Sequence, residues 1–233
     1  MDLDRISQAK KEIVESFGPW TAHCIHLADG LYTFDQPHAD TRVRRFLQIA
    51  ADVTGAPLEN LRVLDLACLE GMFGIEFALH GASVLAIEGR DKNMAKTRFV
   101  KDVLSLGNLE LSLDDIRNFS VERHGRFDVI LCLGILYHLD TPDAMDFVER
   151  IAQACERVTI IDTNFSMTDE ESYRWKGMRT GASIGASTIP RTLAVRSCPG
   201  TGRHSTTRDR FCSRVHRCAI CSDMSGSRPS TSA

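Results

Sequence analysis

Residues 61–74 read Leu-Arg-Val-Leu-Asp-Leu-Ala-Cys-Leu-Glu-Gly-Met-Phe-Gly. A short apolar run carries Asp65, passes through the small Ala67 and reaches Gly71, after which GMFGIEFALHG continues with helical spacing and closes on Gly81. This order of residue types predicts a buried strand, a tight turn and a helix. The same grammar recurs downstream. ASVLAIE reads as a second strand, and Asp91 caps a helix KNMAKTRFVKDVLSLG that Gly107 ends. LELSL is the third strand and FDVILCL the fourth. Thr141 and Pro142, as cap and first-turn residue, open the helix PDAMDFVERIAQAC, and RVTIIDT is the fifth strand. Near-continuous apolar strands alternating with helices predict a parallel sheet covered on both faces, with right-handed crossovers.

Outward from this core the pattern changes on both sides. Residues 3–17 have helical periodicity, with Ile6, Ile13, Val14 and Phe17 on one side. The segment GPWTAHCIHLADGLYTF reads as a structured loop. Asp40 or Thr41 caps a further helix, TRVRRFLQIAADVTG, that Gly55 ends. The expected organisation is a helical and loop extension over 1–58, an α/β domain over 59–178 and an irregular or disordered tail over 179–233. The fold class is a Rossmann-like, doubly wound parallel sheet with an N-terminal helical extension and its C-terminal strands missing.

The tail is read from composition. Residues 181–233 hold eight Arg, ten Ser and six Thr but one Leu and no Lys or Glu. That mixture is what a shifted reading frame of GC-rich coding sequence produces, so an out-of-frame terminus is the expectation, with a genuine disordered tail as its alternative. Cys212, His216, Cys218 and Cys221 invite a zinc reading, but their spacing is cramped and no element signal supports it, so no metal is expected.

Composition narrows the function classes. The 233 residues are 43% hydrophobic and 25% charged, ordinary for a globular chain. No apolar run spans a bilayer, and MDLDRISQAKKEIVES has no apolar signal core, so a cytoplasmic location with no membrane partner is expected. The net charge of -3 argues against general nucleic-acid affinity. Scattered Cys24, Cys68, Cys132 and Cys155 suit a reduced compartment.

A parallel sheet binds ligands at the carboxyl ends of its strands, and the residues there suit a nucleoside. Asp65 ends the first strand, where it can anchor the turn or meet an ammonium group; Ala67 leaves room, and Gly71 permits close backbone approach. Glu88 ends the second strand, where an acid can take both ribose hydroxyls. After the third strand a carboxylate of Asp114 or Asp115, with Ile116, suits an adenine ring. The fourth strand leads into LGILYHLDTP, where His138 is the best-placed candidate base. His23, His26 and Tyr32 lie in the upstream segment that could close over the pocket, and Trp20 is a packing anchor.

At these residues the chain resembles the class I S-adenosylmethionine-dependent methyltransferases. VLDLACLEGMFG resembles their first motif, AIEGR the ribose-binding acidic motif, LDDIRNF the adenine-contact motif and FDVILCLGILYHL the fourth motif region. CLEG, LGILYHLDTP and the upstream WTAHCIHLADGLYT look most like a bacterial branch related to the tRNA wobble-uridine methyl and carboxymethyl transferases. The resemblance implies S-adenosyl-L-methionine as cofactor, contacted by Asp65, Ala67, Cys68, Gly71, Glu88, Gly89, Asp115, Ile116, Leu133 and Gly134. It departs at Ala67 and Leu69, where glycines are usual in the superfamily. The expected acceptor is a small molecule, because the first 180 residues carry a net charge of about -9; tRNA is the alternative. A nicotinamide-dependent oxidoreductase is disfavoured because its G-x-G-x-x-G turn is absent. A non-catalytic cofactor-binding protein is the rival from another class.

Overall fold

The computed structural model describes residues 2–165, 171–175, 178–182 and 189–196. The readings made on residues 197–233, including the Cys/His cluster, lie outside them. The first helix, α1 (Leu3–Phe17), begins where the Asp2 carboxylate accepts from the Arg5 amide at 2.9 Å and ends at Gly18. Within the segment read as a structured loop, β1 (His26–Ala28) and β2 (Leu31–Tyr32) form a short antiparallel pair. α2 (Thr41–Thr54) is capped by Asp40, which accepts from the Arg42 amide, and ends at left-handed Gly55. Each such carboxylate satisfies an orphan helix amide, worth roughly 1 kcal/mol.

The strand–helix series follows: β3 (Arg62–Leu66), α3 (Met72–Leu79), β4 (Ser83–Glu88), α4 (Asp91–Val103), β5 (Leu109–Leu113), α5 (Val121–His124), β6 (Phe127–Leu133), α6 (Thr141–Ala154) and β7 (Cys155–Phe165). The parallel strands lie in the order β7-β6-β3-β4-β5. The chain leaves β3 in one direction for β4 and β5, then returns to its other side for β6 and β7. That reversal opens a crevice at the carboxyl ends of β3 and β6. Two helix starts differ by one residue from expectation: Arg90 and Asp140 hold the N-cap positions assigned to Asp91 and Thr141. Neither makes a side-chain cap bond, so the residue preferences that mark a cap were not at work there.

Alternation along each strand builds two cores. Val63, Val129, Leu131 and Ile160 face one way, with Phe46 of α2, Phe77 of α3 and Val100 of α4. Leu64, Leu66, Ile130 and Cys132 face the other, with Phe119, Phe147 and Ile151. Each such buried side chain contributes about 1.5–3 kcal/mol of transfer free energy. Ile6, Trp20, Phe46 and Ala50 belong to the first cluster, so residues 1–58 share the core of the sheet.

After β7, β8 (Glu171–Trp175) and β9 (Met178–Ala182) form a separate antiparallel pair. β10 (Ile189–Arg196) then lies antiparallel to β7, from Ile189 opposite Phe165 to Arg196 opposite Val158. This corrects the expectation that nothing after residue 181 joins the sheet. The open edge of β7 offers a row of unpaired backbone groups, and IPRTLAVR supplies β-branched and aliphatic residues enough to pair with it. Its single Leu and its arginines hid it from a composition count. Among the described residues no helix is long and apolar enough to cross a membrane.

Candidate active site

The turn after β3 is built from left-handed backbone. Ala67 has φ +56° and Leu69 φ +54°, the conformation that glycine adopts freely. These are the two positions where the resemblance led us to expect glycine, so the turn keeps its shape at a cost of about 1–2 kcal/mol per residue. Gly71, at φ +83°, is the N-cap of α3, and a side chain there would collide with Thr97 of α4. Its bareness therefore lets α4 approach the turn. Gly71 is not among the residues that line the crevice; sequence cannot show which neighbour a glycine makes room for.

The crevice itself has a volume of about 520 Å³. Its walls bring together Asp65, Ala67, Cys68, Glu88, Gly89, Asp115, Ile116, Leu133, Gly134 and His138. These residues come from the ends of β3, β4, β5 and β6, so the sheet register assembles them. The volume suits a ligand of nucleoside-plus-side-chain size.

Each acid is held differently. Asp65 is buried, and its Oδ2 accepts from the Gly74 amide at 2.9 Å. Burial pushes its carboxyl up to about 7, the Gly74 bond opposes this, and nearby Glu88 adds to it. Glu88 is also buried, with Oε2 accepting from Leu69 N–H at 2.9 Å and Oε1 from Arg90 N–H at 2.9 Å and Asn93 Nδ2 at 3.2 Å. Its carboxylate is thus fixed in orientation at the crevice wall, with three of its roughly four lone-pair sites used and one left on Oε2 for a ligand hydroxyl. The neighbouring acids Asp114 and Asp115 are held by different partners, Asp115 accepting from Arg117 N–H at 2.9 Å and lying 3.5 Å from the Arg117 guanidinium. Asp114 accepts from Asn118 and Asp115 N–H and pairs with Arg123, whereas Asp115 lies on the crevice wall. Ile116 beside it is buried and lines the same wall.

His138 sits in the 3-10 turn Leu136–His138, exposed, its ring 4.4 Å from that of Tyr137. It reaches the crevice, as does Tyr137. Of the upstream residues, His23 lines this crevice. His26 and Tyr32 stack on each other at 4.9 Å and line a different cavity. Trp20 packs on Phe99 as an anchor. Among the described residues no group of His, Cys, Asp or Glu is arranged to hold a metal ion. Burial raises the thiols of Cys68 and Cys132, the latter to about 12, so both behave as apolar wall.

Glu70 was missed by the sequence reading. It is fully buried, and its carboxylate accepts from the backbone amides of Thr21 at 2.8 Å, Ala22 at 3.0 Å and His23 at 3.1 Å. Buried Lys96 pairs with it at 3.1 Å and also donates to Pro19 C=O at 2.6 Å. These amide bonds and Lys96 outweigh burial and hold the Glu70 carboxyl below its ordinary range. Glu70 thereby straps residues 19–23 against the turn and brings Ala22 and His23 to the crevice wall. Its signal was a lone acid inside a tight apolar turn. Arg42 was missed too; it spans Asp40 and Asp162, at 2.6 and 3.2 Å, across the β7 end of the site.

Residues 63–159 match the family model described as a methyltransferase domain. A ubiquinone biosynthesis O-methyltransferase of Acinetobacter baumannii is 26% identical over 105 residues, covering 45% of this chain and 42% of that protein. One from Azotobacter vinelandii is 32% identical over 85 residues, 36% of each chain. The chain thus matches less than half the length of these curated relatives. Among solved structures, the N-terminal domain of EvdMO1, crystallised in the presence of SAH and D-fucose, is similar with a TM-score of 0.62. It is 23% identical, covering 76% of this chain and 71% of that one. At that identity the likeness is one of fold.

Proposed function

We propose that this methyltransferase domain binds S-adenosyl-L-methionine and methylates a small-molecule acceptor. The observation that carries the reading is the row of acids Asp65, Glu88 and Asp115 at the ends of three adjacent parallel strands, around one crevice at the switch point. The donor and acceptor chemistry fits the cofactor. Glu88 presents the remaining lone pair of a fixed carboxylate to a ribose hydroxyl. Asp115 accepts from an adenine amino group while Ile116 covers the ring face. Asp65 meets the ammonium of the methionine portion, which favours its ionised form. Leu133 and Gly134 flank the reacting end.

When bound, the cofactor supplies a sulfonium methyl as electrophile, so the protein contributes position, exclusion of water and proton handling. The strapped Ala22 and His23 line one side of the crevice. His138 is the proposed proton acceptor for an oxygen or nitrogen nucleophile, since its ring nitrogens make no hydrogen bond to described residues. The small-molecule acceptor rests on the acidic body of the chain and on the names of the curated relatives.

Calorimetry with S-adenosylhomocysteine and with a nicotinamide dinucleotide tests the cofactor. Binding of the former is expected, and binding of the dinucleotide alone would overturn the reading. Labelled cofactor offered with a metabolite extract and, separately, with total tRNA tests the acceptor. Label in tRNA alone would replace the small-molecule reading by the wobble-uridine one.

A further inference from the structure

His23 has no assigned role, yet its surroundings define what its ring can do. Its own amide is held by Glu70 at 3.1 Å, so its backbone is fixed against the β3 turn. Its Nδ1 accepts from the Met72 amide, at the start of α3, at 3.2 Å. An amide can only donate, so Nδ1 bears the lone pair, and the neutral ring carries its proton on Nε2. The Phe73 ring packs against it edge-on at 5.5 Å. Among the described residues nothing accepts from Nε2, and the ring lines the crevice. Burial lowers its pKa to about 4, so the neutral form prevails through the physiological range.

The ring is therefore a donor and not a base. It lines the crevice together with Ala22 and Arg42, and the Arg42 guanidinium pairs with Asp162 of β7. If the nucleoside occupies the Glu88 and Asp115 end, the opposite end receives its amino-acid portion. Asp65, on β3 between β4 and β6, matches an ammonium. The complementary carboxylate needs a donor; Arg42 spends three of its five N–H groups on Asp40 and Asp162, whereas the single Nε2–H of His23 is given to no described residue.

We propose that His23 is a binding residue whose Nε2–H donates to the carboxylate of the cofactor's methionine portion. The assignment rests on the cofactor reading above and adds the residue that distinguishes the whole cofactor from its nucleoside part.

The test is calorimetry on the full chain with two probes, S-adenosylhomocysteine and 5′-methylthioadenosine, which lacks the amino-acid portion. In His23→Asn the short amide can still accept from Met72 N–H but does not reach the ligand. This variant should bind S-adenosylhomocysteine about ten- to a hundredfold more weakly, the range for a lost hydrogen bond to a charged group. Its affinity for methylthioadenosine should stay within about twofold of the wild type, well below that loss. His23→Gln, with a donor near the Nε2 position, should recover part of the loss. Equal weakening for both probes would mean that His23 merely supports the turn, and unchanged affinity for both would mean that it holds nothing; either overturns the proposal. Failure of the wild type to bind either probe would instead overturn the cofactor reading.

Discussion

Replacing Glu70 by Ala should damage the molecule more than a surface acid would, and the structure sets the scale. The carboxylate has no exposure, and it satisfies three successive amides and a Lys96 ammonium that is itself only 2% exposed. Removing one partner of a buried pair leaves an uncompensated charge and costs about 3–5 kcal/mol. The three orphaned amides push the value towards the top of that range, because each loses about 1 kcal/mol unless water reaches it. That is a large share of a total stability of roughly 5–15 kcal/mol. Lys96→Met should cost less, since Glu70 would keep its three amide donors while Lys96 in Glu70→Ala keeps only Pro19 C=O. Adding Lys96→Met to Glu70→Ala should then recover part of the loss by removing the stranded ammonium. Urea unfolding followed by circular dichroism, with the slope checked for two-state behaviour, measures all three variants. A loss below about 1 kcal/mol for Glu70→Ala, or equal losses for the two single variants, would refute the reasoning that Glu70 is the strap for residues 19–23.

Gly71→Ala should destabilise by about 2–5 kcal/mol, from left-handed strain plus the collision with buried Thr97. Thr97→Ser in the same chain should relieve the collision and leave the strain, which denaturation midpoints would reveal. Ala67→Gly, at φ +56°, should by contrast stay within roughly 1 kcal/mol of the wild type, because relieved strain is offset by unfolded-chain entropy. Asp65 makes stability pH-dependent. Its folded pKa of about 7 lies above the ordinary carboxyl value of 3.8, so between those values the unfolded chain ionises and the native one does not. Stability should therefore fall with rising pH across that window, by up to about 1.4 kcal/mol per unit, and Asp65→Asn should flatten this dependence. Parallel urea midpoints for the two proteins at pH 5 and pH 7.5 would count against it. Glu88→Gln should weaken S-adenosylhomocysteine and methylthioadenosine alike, by about 1–3 kcal/mol, since both carry the ribose; calorimetry that found only the former affected would move Glu88 off the ribose.

Much of the molecule is local in sequence and so was readable there. Apolar runs of strand length, separated by helices that end on glycine, specified β3 to β7 and a parallel sheet, because burial on both faces leaves few polar positions in such strands. The acids Asp65, Glu88 and Asp115 were visible because a doubly wound sheet delivers every strand end to one rim. Tertiary contact decided the rest. It set Asp115 on the crevice wall and turned Asp114 to Arg123 and Asn118. Gly71 leaves room for Thr97, a matter of which helix leans on the turn. The β7 edge also gained Ile189–Arg196, since strand pairing is made by backbone groups that composition does not count. Ala22 and His23 were brought to the crevice wall through Glu70, which lies 49 positions from Thr21 along the chain. Periodicity reports which side of an element is buried; it carries no record of which distant amide a buried carboxylate will hold.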